Sequence, residues 1–282
     1  MRREGGGFLT IAHLTIHEAL RRRILLAALV AGAAFLILFG LGLFALVKDL
    51  GGNPKTSLLE RRMALNMVTL AGLYAANLLV VLMSVLLPVD TLSGEIGSGV
   101  MQTLAVRPIR RRDIVLGKWL GHWVVMASYF ALLFGGVLTL SAFVGHFTPP
   151  RVEVGLPLAL LEGTVLLTIS IAGGARLGTV TNGMLAFGLF GLAFIANWME
   201  QIGTALGNEA AQQIGTIVSL LMPSEAIWQM GASQMQPAIL RELGDSPFSP
   251  FSVASPAMIW WALGYIVVVL AIGVRSFERR AL

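Results

Sequence analysis

Six long stretches of the chain are almost free of charge: 24–47, 63–89, 113–145, 156–175, 177–199 and 257–274. Each supplies the roughly 20 apolar residues that a helix needs to cross a hydrocarbon layer. Lipid offers no hydrogen bonds, so such stretches must satisfy their own backbone, and a helix does so. The third is apolar from Trp119 onward, and its helix is expected to begin near Asp113. Only Arg176 separates the fourth stretch from the fifth, which predicts a tight hairpin. The first runs for about 24 residues, against about 7–15 in a signal peptide, so a retained anchor is expected. The chain therefore reads as all-α: one polytopic membrane domain over 1–282 with six transmembrane helices.

Between the apolar stretches three segments carry a pattern. In 8–23, Leu9, Ala12, Ile16, Ala19 and Leu20 fall at helical spacing, with His13, His17, Glu18 and Arg21 elsewhere. That predicts an amphipathic helix lying along the membrane surface ahead of the first span. In 90–112, Leu92, Ile96, Val100 and Leu104 recur every four residues with Met101 beside them. A short one-faced helix over about 92–106 follows, weakened by Gly94, Gly97 and Gly99 and ended by Pro108. Arg110, Arg111 and Arg112 then sit at headgroup level. Such a helix, parallel to the membrane, either docks a partner or touches only lipid. The largest piece outside the spans, 200–256, holds a helical stretch at about 208–221. Its apolar run 214–222 is too short to cross and is expected to cap the outer ends of the spans; Ser246–Phe251 reads as loop.

Composition narrows the class. Hydrophobic residues are 56 % and charged residues 12 % of the chain, against about 25 % charged in soluble domains. The absence of Cys excludes disulfides, thiol catalysis and Cys-based metal sites. The charge is +5, and its placement matters more than its sum. With the N-terminus inside, Lys and Arg split fourteen inside to six outside, which places both termini in the cytoplasm and the chain in the cell (inner) membrane. The excess faces anionic lipid rather than nucleic acid. The first outer loop runs against this trend, with Lys48, Lys55, Arg61 and Arg62 beside Asp49 and Glu60. Trp198, Trp260 and Trp261 at outer ends, and Trp119 and Trp123 near an inner end, suggest interfacial aromatic belts.

Catalytic patterns are missing. There is no GxxxxGK[ST] phosphate loop, no Gx[ST]xG elbow, and no second His after His17-Glu18 at metalloprotease spacing. No catalytic residue and no metal site is assigned; His13 and His17 share a face as a solvated pair. Any work must draw on an ion gradient or a partner.

Polar groups at lipid depth are costly and often functional. Asn66, Asn77 and Ser84 are eleven and seven residues apart, which puts them within about 20° of one another on a helix. Tyr74 lies near that stripe. Glu162 is the acidic residue set well inside a span. The stripe either lines a conduit or bonds a neighbouring helix, and Glu162 is either solvated near the interface or buried. Gly117-x-x-x-Gly121 and Gly174-x-x-x-Gly178 permit close helix contact.

Glu95, Gly99, Pro108, Arg111, Gly117 and Lys118 form the pattern E-x-x-x-G-x(8)-P-x-x-R-x(5)-G-K. It resembles the inner-loop motif of permease subunits of ATP-binding cassette (ABC) transporters of the type-2 exporter class. The amphipathic start, six spans and long outer loop before the last span agree, so the resemblance covers essentially the whole chain. Ile96 and Val100 stand where that family often has a charged residue and Thr. A looser likeness is to permeases of multicopper-enzyme maturation, as in nitrous oxide reductase copper assembly. The resemblance implies a non-enzymatic permease coupled to a separate ATPase present in two copies, which binds ATP and Mg, and a second permease chain, identical or a paralogue. It implies an ATPase-coupling helix carrying Leu92, Glu95, Ile96, Gly99, Val100, Met101, Leu104, Pro108 and Arg111. Glu95 would pair with a basic group of the ATPase, and Arg111 and Lys118 would anchor the third helix on headgroups or the inner loop. Asn66, Tyr74, Asn77, Ser84 and Glu162 are the candidate pathway residues. Alternatives are a gradient-driven secondary transporter and a membrane scaffold.

Overall fold

The computed structural model describes residues 6–52, 57–97, 110–237 and 252–280. These form helices α1 (Gly6–Leu20), α2 (Arg23–Gly52), α3 (Leu58–Leu86), α4 (Thr91–Gly97), α5 (Arg111–Phe143), α6 (Val152–Gly174), α7 (Thr179–Leu206), α8 (Glu209–Leu221), α9 (Ser224–Gln234) and α10 (Ala257–Glu278). Six of them, α2, α3, α5, α6, α7 and α10, are long and apolar enough to cross a membrane, and the described residues contain no strand. The chain is an integral membrane protein built as a helical bundle.

Local sequence sets where helices start. Ser57 Oγ accepts from the Glu60 backbone N–H at 3.1 Å while Glu60 Oε2 accepts from the Ser57 N–H at 2.7 Å, a reciprocal cap that opens α3. Asn208 Oδ1 accepts from the Ala211 N–H at 3.1 Å, a one-sided cap that opens α8. Burial then sorts the helices. The central stretch of α6 is 72 % buried and that of α3 61 %, whereas α2, α10 and α7 are only 11, 17 and 22 % buried. So α3, α5 and α6 are the heart of the bundle, and the other three long helices present apolar flanks.

In lipid the helices gain little from burying apolar surface, so close packing and interhelical hydrogen bonds hold them together. Tyr129 donates to the Ala28 carbonyl at 2.9 Å, and the Thr69 and Ser141 hydroxyls bond at 3.0 Å. Ser170 donates to the Val85 carbonyl at 2.9 Å, and Asn182 Nδ2 bridges the Ser170 and Val89 carbonyls at 2.8 and 3.2 Å. Each such bond contributes on average about 0.6 kcal/mol. Trp119 and Trp123 donate to Thr168 at 2.9 Å and Thr164 at 3.0 Å. Donors four residues apart on α5 thus meet hydroxyls four residues apart on α6, and the two half-buried indoles tie these helices together.

Two expectations change. The amphipathic face of α1 is rotated: Ile11, Ala12, Thr15 and Ala19 are buried, while Leu9 and Leu20 are 61 and 59 % exposed. Helix α1 lies on α5, where the missing side chains of Gly117 and Gly121 make its seat. A Cβ on Gly117 would stand 2.8 Å from the Phe8 carbonyl, and one on Gly121 2.8 Å from the Ala12 carbonyl. The segment after α7 does not cap the spans but enters the bundle. Helix α8 folds back along α7, with Ala211 against Gly203, and Gly215 against Ala196 and Glu200. After Met222-Pro223 the chain reverses, and α9 runs back beside α6. Arg151 bonds Gln234 at 2.9 Å at the mouth, and Gly231 abuts the Gly155 carbonyl. The pair α8–α9 is a re-entrant hairpin. Its tip carries the buried residues Met222, Ser224, Glu225 and Trp228.

Candidate functional site: the basic end and the buried polar stripe

One end of the bundle gathers α1, α4, the start of α5 and the end of α10, together with Arg21–Arg23, Arg110–Arg112, Arg176, Arg275, Arg279 and Arg280. Here α4 is wired into the long helices. Leu92 is 1 % exposed and packs in the core. Glu95 pairs with Lys118 of α5, and Lys118 is itself 4 % exposed. Glu95, anticipated to meet a basic group on a partner, thus engages a lysine of its own chain. Thr91 Oγ1 meets His122 Nε2 at 3.0 Å, and His122 Nδ1 donates to the Lys118 carbonyl at 2.8 Å, which fixes Nε2 as the acceptor. On the other side, Ser93 bonds Thr179 at 2.9 Å and Thr179 donates to Asp90 at 2.8 Å. Helix α4 is therefore fastened to α5 and α7 together.

Arg111 does not reach for headgroups. Its Nη1 donates to the carbonyls of Glu278 at 3.1 Å and Arg280 at 2.7 Å, and Arg280 donates to the Ala175 carbonyl at 2.8 Å. Cations thus cover the open carbonyls at the C-terminal ends of α6 and α10. Nearby Glu18 bonds Arg22 one turn on at 2.5 Å. Burial opposes its charge, but the Arg22 hydrogen bond and the charges of Lys118 and Arg22 prevail and hold the carboxyl below its usual range. Gly99, Val100, Met101, Leu104 and Pro108 lie outside the described residues, and Ile96 is described as helix backbone only.

The second constellation runs through the heart of the bundle. Asn66, Asn77 and Ser84 of α3 are 0, 5 and 0 % exposed, and Glu162 of α6 is 0 % exposed. Ser84 donates back to the Val80 carbonyl at 2.7 Å, and Asn77 Nδ2 donates to Glu162 Oε2 at 2.9 Å. Tyr74 donates to Gln229 Oε1 at 3.2 Å, and Gln229 Nε2 donates to Glu225 Oε1 at 3.0 Å. The Tyr74 and Trp228 rings meet edge to face, 4.9 Å apart. Asn77, Tyr74 and Glu162 are thus brought together, while Ser84 and Asn66 stand apart from them. Helix α9 adds Glu225, Trp228 and Gln229, which the sequence reading did not single out. The signal available was Ile227, Trp228, Gly231 and Met235 at helical spacing after Pro223-Ser224-Glu225. A cavity of about 250 Å3, bordered by Glu200, Glu225, Gln229 and Ser252, opens beside this cluster. Ser252 donates to Glu200 at 3.0 Å.

Comparison with curated proteins finds no match. A family model described as ABC-2 family transporter protein matches residues 9–282, which takes in both the basic end and the buried stripe. The chain belongs to the ABC-2 transporter family, as a membrane-embedded transporter subunit.

Proposed function

We propose that this chain is the permease half of an ATP-driven exporter, with the basic end in the cytoplasm of the cell (inner) membrane. It binds no nucleotide itself. Two copies of a separate ATPase bind ATP and Mg, close on them and reopen, and a second permease chain completes the pathway. The observation that carries this reading is the double fastening of α4 within an ABC-2 family chain. Through Lys118–Glu95 it moves α5, and through Ser93–Thr179 it moves α7. The apolar positions that follow in the sequence, Val100, Met101 and Leu104, supply the foot that the ATPase grips, and Arg111 holds α5 to α10. The concentration of Arg at this end supports its cytoplasmic placement. Asn66, Tyr74, Asn77, Ser84 and Glu162 line the interior of this bundle, so they border a path only as α3 and α6 part from each other.

The test is purification of the full chain from its native membrane. An ATP-hydrolysing subunit is expected to co-purify, and the reconstituted complex to hydrolyse ATP. Leu104→Asp is expected to abolish both by placing a carboxylate in the apolar grip. Transport by the isolated chain, driven by an ion gradient, would overturn the reading.

A further inference from the structure

At the centre of the bundle two planar groups meet, the Asn77 amide and the Glu162 carboxyl. One bond between them is made, from Asn77 Nδ2 to Glu162 Oε2 at 2.9 Å. One atom of each group is left over, Asn77 Oδ1 and Glu162 Oε1, both buried and neither with a hydrogen-bond partner among the described residues. Both are oxygens, so each lacks a donor. Asn77 is 5 % exposed and Glu162 0 %. The groups whose charge or hydrogen bonding acts on Glu162 are Glu225 and Asn77; Glu225 is a second acid. Tyr74 of α3 feels the charge of Glu162 in turn. No Lys, Arg or His among the described residues is among them.

Four occupants could supply what is missing: a metal ion, a basic side chain, a water molecule or a proton. A metal ion takes four or more donors, and only two free oxygens are present. Neither Asn77 nor Glu162 lines the cavity beside Glu225, where a water would have room to sit. A lone buried carboxylate carries a desolvation cost so large that the group takes up a proton instead. A protonated carboxyl has one O–H donor and one acceptor oxygen. That complements a primary amide, and one proton satisfies both leftover atoms at once. Exchanging the amide's O and N assignments, which X–H geometry alone would decide, leaves the count unchanged.

We propose that Glu162 is a proton-binding site: its carboxyl is held as the neutral acid in a cyclic, doubly hydrogen-bonded pair with Asn77, joining α6 to α3. The proton also lets the hairpin seat. Glu225 at its tip then faces a neutral neighbour, and Tyr74 and Gln229 fasten α9 to α3. Removing the proton sets two carboxylates against each other and leaves Asn77 Oδ1 facing an anion. At neutral pH the folded chain thus holds one proton that an unfolded chain has already released, so stability falls as pH rises through the interval in which only the folded chain keeps it. This assignment needs no ATPase and stands or falls apart from the transport reading.

The experiment uses the purified full-length chain in detergent. Burial raises the pKa of the neighbouring Glu225 to about 7, so infrared spectra are taken in a Glu225→Gln background. There the carbonyl band of a protonated carboxylic acid is expected at pH 7 and is lost when Glu162→Gln is added. The Gln amide closes the same ring with Asn77, so the Tm of Glu162→Gln at pH 7 stays within about 2 °C of wild type, while Glu162→Ala lowers it more. As pH is raised, wild type loses Tm relative to Glu162→Gln. Absence of the band in Glu225→Gln, its survival in the double variant, or a Tm for Glu162→Gln as low as for Glu162→Ala overturns the proposal.

Discussion

Lys118 lies 4 % exposed at the basic end, and Glu95 is its ion-pair partner. A buried cation deprived of its counter-ion is far more costly than the intact pair is favourable. Glu95→Ala is therefore expected to lower unfolding stability by about 3 kcal/mol, the low end of the range for a broken buried pair, because Glu18 also acts on Lys118. The double variant Glu95→Ala with Lys118→Met is expected to regain most of that loss, read from denaturant or thermal unfolding of the purified chain. The motif singled out both residues; it gave Glu95 a partner outside the chain, and Lys118 a partner in headgroups or the inner loop, of which the second is what Glu95 supplies. Spacing along one helix says nothing about which side chain of another helix stands opposite. The alignment of Asn66, Asn77 and Ser84 was legible because helical geometry alone fixes it. The burial of Glu162 was not, because span edges read from hydropathy are too soft to separate interface from interior.

At the scale of elements, the long apolar helices were the most legible, since the oil itself imposes their length. Helix α9 was the least. Its eleven residues carry Ser224, Glu225 and Gln229, so no span-length apolar run betrays it, and it is its seat against α6 and its ties to Tyr74 of α3 that draw it inward. Gly231→Leu is expected to push α9 off Gly155 and Leu158, exposing Trp228 and shifting its fluorescence to the red. Helix α1 shows the same lesson. A one-faced helix beside a membrane reads as a surface helix, but Gly117 and Gly121 offered it a protein seat. The chain has no Cys, so Ala12→Cys provides a background-free probe. Ala12 is 5 % exposed, and the introduced thiol is expected to resist maleimide in the parent and react rapidly once Gly121→Leu is added. Equal reactivity in both would refute the seat.

For the whole molecule, the lightly buried α2, α7 and α10 leave wide apolar flanks for lipid and for the second permease chain proposed above. Native mass spectrometry of gently extracted protein is expected to show twice the 30.1 kDa chain mass, and a monomer under all mild conditions would count against that assembly. The clasp of α1 on α5 also has a consequence for biogenesis. Ile11 and Gly117 are 106 residues apart in the chain, a gap that a ribosome covers in about 5–20 s. Throughout that interval the N-terminal helix has been born but its berth has not, and the bilayer surface must shelter its greasy side until the glycines emerge.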